Sequence, residues 1–499
     1  MDILSNLELG FSVALSLQNL FYCFIGVLLG TLIGVLPGLG PVATIAMLLP
    51  ITFGLPPVSA LIMLAGIYYG AQYGGSTTAI LINLPGESSS VVTALDGYQM
   101  ARQGRAGVAL ATAALGSFFA GSVATLLLAL FAPPLADLAL QFGAPEYFAL
   151  MVLGLIASVA LASGSVLKAL AMVVLGILLG LAGQDVYTGA PRFTFDITDL
   201  ADGIEFVALA MGVFGLGEII RNLEDEHTRS VGVQKVTGLM LTREDFRRIT
   251  GPVLRGTALG SLLGILPGGG AMLSSFASYS IEKKISKTPQ RFGKGAIEGV
   301  AGPESANNAG AQTSFIPMLT LGIPSNPVMA LMIGALIIQG IVPGPNVVNE
   351  KPDLFWGIIA SMWIGNFMLV LLNLPLIGIW VRLLTVPYHV LYPLIVGFCC
   401  IGVYSVNNNV FDVFAMAMFG VVGYVLVKLE CEPAPLLLGF IIGPMLEEYL
   451  RRAMLISRGD PLVFFTRPLS ASLLMLAFAA LVVVLLPSVR KKRDEAFQE

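Results

Sequence analysis

From Leu9 to Gly86 the chain carries no Asp, Glu, Lys, Arg or His. A soluble domain cannot run that far without ionic groups, because about a quarter of the residues in such domains are charged. Further charge-free stretches cover 106–136, 147–167, 169–184, 256–281, 305–349, 354–381, 413–427 and 468–489. A helix crosses the hydrocarbon core with about 20 apolar residues. Several stretches hold two or three such lengths. The reading is therefore an all-α polytopic membrane protein of roughly 10–14 membrane segments, some re-entrant or broken. Barrel strands would read as alternating segments of about ten residues, which these runs are not. Whole-chain figures agree: 12% charged, 56% hydrophobic and a mean hydropathy of +0.85. A net charge of −4 without a basic face excludes a nucleic-acid partner.

The first 24 residues lack a basic stretch followed by a small-residue cleavage site, so they read as the start of the first span. Cys23, Cys399, Cys400 and Cys431 show no paired spacing, and His227 and His389 lie far apart. Neither set suggests a disulfide framework or a metal centre.

The most polar long segment, 221–255, divides the chain into near-equal halves. We read 1–220 as a first transmembrane half, 221–255 as a polar cytoplasmic linker, and 256–499 as a second half with a C-terminal span and a basic tail. "GVLLGTLIGVLPGLG" at 26–40 aligns with "GTALGSLLGILPGGG" at 256–270, and "GAQ" at 70–72 with "GAQ" at 310–312. Chance likeness between Gly-rich helices is one explanation. Internal duplication, common in secondary transporters, is the other and accounts for the order of the matches. By the Lys/Arg bias, Arg102, Arg105, the linker and the Lys283–Lys294 cluster face the cytoplasm, and the acidic 185–205 loop faces outward. Arg255 and Lys283 then share a side, which makes 256–281 a hairpin with its turn at "LPGGG". Basic residues flank both ends of the final span, so the bias leaves that end unplaced. Trp356, Trp363 and Trp380 read as interfacial anchors; Lys168, Arg382 and Lys428 read as snorkelling.

Four Gly/Pro-broken motifs interrupt apolar sequence: 36–41, 68–90, 266–275 and 302–326. They are rich in Ser, Thr, Asn and Gln, hold Glu87 and Glu304 as their only charges, and contain no Lys or Arg. Unwound backbone inside a membrane survives where protein or a wet cavity satisfies it. Free N–H groups at half-helix N-termini suit an anion. Pro303 fits a first helical turn, putting Ser305, Asn307 and Asn308 among its donors. The substrate-binding candidates are thus Gly38, Gly40, Gly74, Gly75, Ser76, Thr77, Thr78, Gly268, Gly269, Ser305, Asn307, Asn308 and Ser325. Oxygen-bearing Gln72, Asn83, Glu304, Gln312, Thr313 and Asn326 are the candidates for a coupling ion, with Glu304 as ligand or proton carrier. The competing reading gives the glycines and serines to close helix packing and Glu87 to a solvated helix end.

"GVLPGLGP", "YYGAQYGGSTTAILINLPGESSSVVTALDGYQMARQGRAGVAL" and "GPESANNAGAQTSFIPMLTLGIPSN" resemble the large permease subunit of tripartite tricarboxylate transporters, the TctA family, over essentially the whole chain. The resemblance implies a multi-pass protein of the bacterial inner membrane that imports citrate-like di- or tricarboxylates. It implies Na⁺ or H⁺ as coupling ion and no other cofactor. It also implies a small four-helix membrane subunit and a periplasmic solute-binding protein as partners. No GxxxxGK[ST] motif occurs, in keeping with secondary rather than ATP-driven transport. A stand-alone carrier or a channel for another organic anion remains an alternative. An intramembrane enzyme would need clustered acids, His or Arg that the apolar stretches lack.

Overall fold

The computed structural model describes residues 3–36, 40–84, 86–161, 165–185, 187–224, 236, 238–266, 270–383 and 388–485. The chain is helical almost throughout. The described strands are Gly183–Gln184 and Pro191–Arg192, a short antiparallel pair with Gly183 opposite Arg192. Among the described residues, Leu17–Val35, Ser88–Ala139, Pro352–Asn373 and Val410–Lys428 are long and apolar enough to cross a membrane. Shorter apolar helices such as Pro41–Thr52 and Pro327–Ile338 accompany them. The protein is an all-α membrane protein, as the charge-free stretches require.

Two helix pairs are built by the same device. Residues four apart lie on one helical face, and Gly26, Gly30 and Gly34 strip that face of Cβ atoms along Leu17–Val35. The helix Pro57–Ile82 fills the groove. A Cβ on Gly30 would stand 2.8 Å from Ile67 Cα, and one on Gly34 2.8 Å from Ala71 Cα. Along Arg243–Ile265, Gly256, Gly260 and Gly264 face Gly302, Ala306 and Gly310 of Glu298–Thr313 at the same intimacy. Small-residue seams of this kind let backbones approach where lipid supplies no hydrophobic drive.

The laddered helices end at Val35 and Ile265, just before the glycine motifs. Gly270–Ile285 packs back against Arg243–Ile265 as in the expected hairpin, whose turn lies outside the described residues. Arg255 closes its open end through hydrogen bonds to the two carboxylate oxygens of buried Glu282, at 2.8 and 2.7 Å. The Arg243–Ile265 helix starts within the polar stretch, capped by reciprocal Thr242–Asp245 bonds.

The tryptophans depart from expectation. Trp356 and Trp380 are buried inside the protein, and the Trp363 indole donates to Ser122 O at 3.0 Å. Trp356 packs where Gly10 leaves room, and Trp380 donates to Leu372 O at 2.8 Å. Their ring area is used between helices, and the N–H groups of Trp363 and Trp380 find carbonyls there instead of at the headgroups. Lys168 and Lys428 do sit at helix ends, bound to Glu430 and Glu224.

Candidate functional site

Glu304 lies at the junction of the two laddered pairs, fully buried on Glu298–Thr313. It accepts from Ser76 Oγ at 2.6 Å and from Thr93 Oγ1. Both hydroxyls belong to the first half of the chain, so a carboxylate of the second half is solvated across the junction. Ser117 and Asn308 extend the network: Asn308 Nδ2 donates to Ser117 Oγ at 2.7 Å and to Asn307 Oδ1 at 2.5 Å.

Beside this junction runs a cavity of about 590 Å³ between the starts of Pro41–Thr52 and Gly270–Ile285, where the two glycine motifs end. Gly40 and Gly270 line it there, Tyr68 and Gln72 from Pro57–Ile82, and Asn326 from the start of Pro327–Ile338. Gln72 Oε1 accepts from Ser89 Oγ at 2.8 Å, and Ser275 donates to Ser89 O at 2.7 Å, so both halves brace the same wall. Glu87 is buried in that wall with Ser89 as its partner. That placement excludes the solvated helix end. Exposed Arg221 and the 432–435 segment stand at the mouth.

Several expected placements change. Pro57–Ile82 runs unbroken through Gly74–Thr78 and ends only at Asn83, which is exposed and left-handed (φ 58°). Pro303 lies in the sixth position of a helix that already starts at Glu298, not in its first turn. Backbone N–H groups at 74–78, 305, 307 and 308 are therefore committed to helices, and only their side chains can meet a ligand. Gly74 and Gly75 serve packing: a Cβ on Gly74 would stand 2.8 Å from Val35 N, and one on Gly75 2.9 Å from Glu87 Cγ. Thr78 holds the end of the first laddered helix by donating to Val35 O at 3.0 Å.

The remaining candidates divide by position. Gln72 and Asn326 line the large cavity, with Asn326 Oδ1 also accepting from Met329 N at 3.0 Å. Ser325 donates to Ser314 O and Thr313 to Ala309 O, both within helix-end packing. Ser305 Oγ and both amide atoms of Gln312 are buried with no hydrogen-bond partner. Gly38, Gly268 and Gly269 lie outside the described residues.

Sequence reasoning passed over Thr93, Ser117, Asn373, Glu218 and Arg221. The Glu218 carboxylate accepts from the Gly40 backbone N–H, the helix N-terminus that the sequence reading reserved for a ligand anion. Arg221 is one turn on and brings a cation to a cavity expected to have none. Their signal in the sequence was weak because both sit at the edge of a charged linker. Asn373 was more visible, as one of two amides, with Asn366, inside the apolar 354–381 stretch.

Residues 20–438 match the family model described as the tripartite tricarboxylate transporter TctA family. A protein of Agrobacterium vitis, named as an uncharacterized 52.8 kDa protein in the TAR-I ttuC' 3' region, is 69% identical over all of this chain and 99% of its own length. A second from the same organism, an uncharacterized protein in the TAR-II ttuC' 3' region, is 67% identical over 48% of this chain and 99% of its own length. No solved structure matches.

Proposed function

The chain belongs to the tripartite tricarboxylate transporter TctA family, and on that premise we propose that it is the permease subunit of a binding-protein-dependent secondary transporter importing di- or tricarboxylates with Na⁺ or H⁺. The observation that carries this reading is the 590 Å³ cavity between the starts of Pro41–Thr52 and Gly270–Ile285. Its size suits a citrate-like ligand. Gln72, Tyr68, Ser88 and Asn326 offer neutral hydrogen bonds, and Arg221 offers the charge for one carboxylate.

The wall also carries Glu87, Glu218 and Glu432. A polyanion cannot approach three ionised carboxylates and one arginine unless cations or protons enter with it. Coupling to a cation follows from that charge balance, and Glu304 stands at the junction of the two halves to feel it. The two laddered pairs are read as copies of one duplicated unit whose relative movement alternates access. With Arg105 and Arg255 taken as cytoplasmic, the mouth at Arg221 faces inward.

Counterflow of labelled citrate in proteoliposomes tests the carrier. Trans-citrate should stimulate labelled uptake, whereas flux indifferent to trans substrate means a channel. Co-expression tests the tripartite requirement: uptake in cells should need the small membrane subunit and the solute-binding protein together. Full uptake by this chain alone would refute dependence on them.

A further inference from the structure

A second cavity, of about 10 Å³, adjoins Glu304 and is separate from the large one. Its polar lining is Glu304, Tyr73, Ser76, Thr77, Ser117 and Asn373, closed by apolar side chains of the Ala106–Ala139 helix. That volume admits one water-sized particle. No Lys, Arg or His lines it.

The polar groups of the lining offer mainly oxygens, and two of these have no partner. Asn373 donates through Nδ2 to Leu369 O at 2.9 Å, which fixes its amide and turns Oδ1 away from that carbonyl. Asn373 Oδ1 and Tyr73 OH are both buried without a hydrogen bond. Thr77 spends its proton on Tyr73 O at 3.3 Å, and Ser76 gives its own to Glu304. Buried polar atoms are almost always satisfied. Apart from the Tyr73 O–H, the pocket's hydroxyl protons are committed, while the Glu304 carboxylate is met by neutral donors and the Asn373 acceptor stands idle, so what the pocket lacks is positive charge. Burying a carboxylate without a compensating cation is also costly.

Deepening the reading under Proposed function, on which it rests, we infer that this cavity is a seat for one dehydrated monovalent cation, held by Glu304, Asn373 Oδ1 and the hydroxyl oxygens of Tyr73, Ser76, Thr77 and Ser117. Hard cations take oxygen ligands of this kind. A proton satisfies one acceptor at a time, whereas a cation satisfies several together. The seat takes ligands from Pro57–Ile82, Ala106–Ala139, Glu298–Thr313 and Pro352–Asn373, so occupation would draw four helices together.

The test is equilibrium binding of ²²Na⁺ to the purified full-length permease in nanodiscs, without carboxylate, in choline chloride. Wild type should bind saturably, with displacement by NaCl at concentrations where choline and KCl have no effect. Tyr73→Phe removes one hydroxyl and should weaken binding about tenfold, an energy near 1.4 kcal/mol. Glu304→Gln and Asn373→Leu should abolish it, with monodispersity on gel filtration showing that they fold. Asn366→Leu removes a buried amide outside the cavity lining and should bind as wild type. Wild-type affinity in Tyr73→Phe and in folded Glu304→Gln overturns the seat. Absence of saturable Na⁺ binding in wild type also overturns it, while citrate counterflow driven by pH would leave the import reading standing.

Discussion

Replacing Gly30 by alanine tests the laddered interface at its most direct point. The added Cβ would stand 2.8 Å from Ile67 Cα and 2.9 Å from Ile67 C, against backbone that has no rotamer to yield. Ile67 O lies closer still, and ordinary contact begins near 3.4–4 Å, so the two helices must part by at least about 0.6–1.2 Å. A gap of about that size forfeits a quarter to a half of each dispersion contact along the seam. Overpacking in a filled interior costs about 1–3 kcal/mol, and the backbone obstruction places this case at the upper end. Alanine recovers about 1 kcal/mol of helix propensity. The net is a loss of about 2 kcal/mol. Gly260→Ala, which would stand 2.8 Å from Ala306 Cα, should lose a similar amount. Gly378 has nothing within 4 Å, is exposed and lies in a helix, so Gly378→Ala keeps only the propensity gain. Thermal unfolding in mild detergent reads the difference: melting falls by several degrees for Gly30→Ala and Gly260→Ala and rises slightly for Gly378→Ala. Unchanged melting in both ladder variants would show that the seam is slack and the close approach carries no energy.

Three other outcomes follow from particular contacts. Arg221→Gln should raise KM for citrate counterflow about tenfold or more with little change in kcat, since it removes charge at the mouth and leaves the junction intact; an unchanged KM would remove Arg221 from recognition. Asp185 is held down to about 2 by backbone N–H bonds from Thr188 and Tyr187 and by Arg451, against the opposing pull of burial. Because the folded value is depressed, its contribution is full above about pH 4 and is lost as pH falls towards 2. Amide exchange at 187–190 should therefore accelerate selectively across that window, and Asp185→Asn should remove the pH step. A variant retaining Trp356 alone should resist quenching by brominated lipid, because that ring is buried; efficient quenching would return it to the interface.

The class of fold was legible in the sequence because membrane burial acts on composition, and a chain that loses charge over whole spans has few alternatives. The hairpin at 256–281 was legible for the same reason, since Arg255 and Lys283 mark one side. The extent of the broken helices was not. Gly74, Gly75 and Pro303 read as breaks because glycine and proline disfavour isolated helices, yet all three continue one here. At Gly75 the missing Cβ makes room for Glu87, and at Gly74 for the end of the partner helix. Tertiary packing set the outcome, and a single sequence does not state which helix lies opposite. Glu218 and Arg221 were hidden differently: they sit beside a charged linker, so pattern assigned them to its surface while the fold turned them towards the cavity at Gly40.

The buried carboxylates differ in how they are satisfied, and the difference separates structure from function better than burial does. Asp96 takes two fixed backbone donors, Gly295 N at 2.8 Å and Ala296 N at 2.7 Å, with Tyr279 OH at 3.0 Å. Glu282 takes the two-pronged guanidinium of Arg255. The backbone N–H groups at Asp96 and the guanidinium at Glu282 cannot turn away, and they tie their elements together. Glu304 is met by the hydroxyls of Ser76 and Thr93. A hydroxyl can donate to a carboxylate or rotate and offer a lone pair instead. Glu304 thus sits where its partners can follow a change of charge, whether a cation arrives or a proton does. A group meant only to hold two helices would be better served by an arginine. Hydroxyls at a carboxylate on the junction of the two laddered pairs are what a site that must load and unload requires.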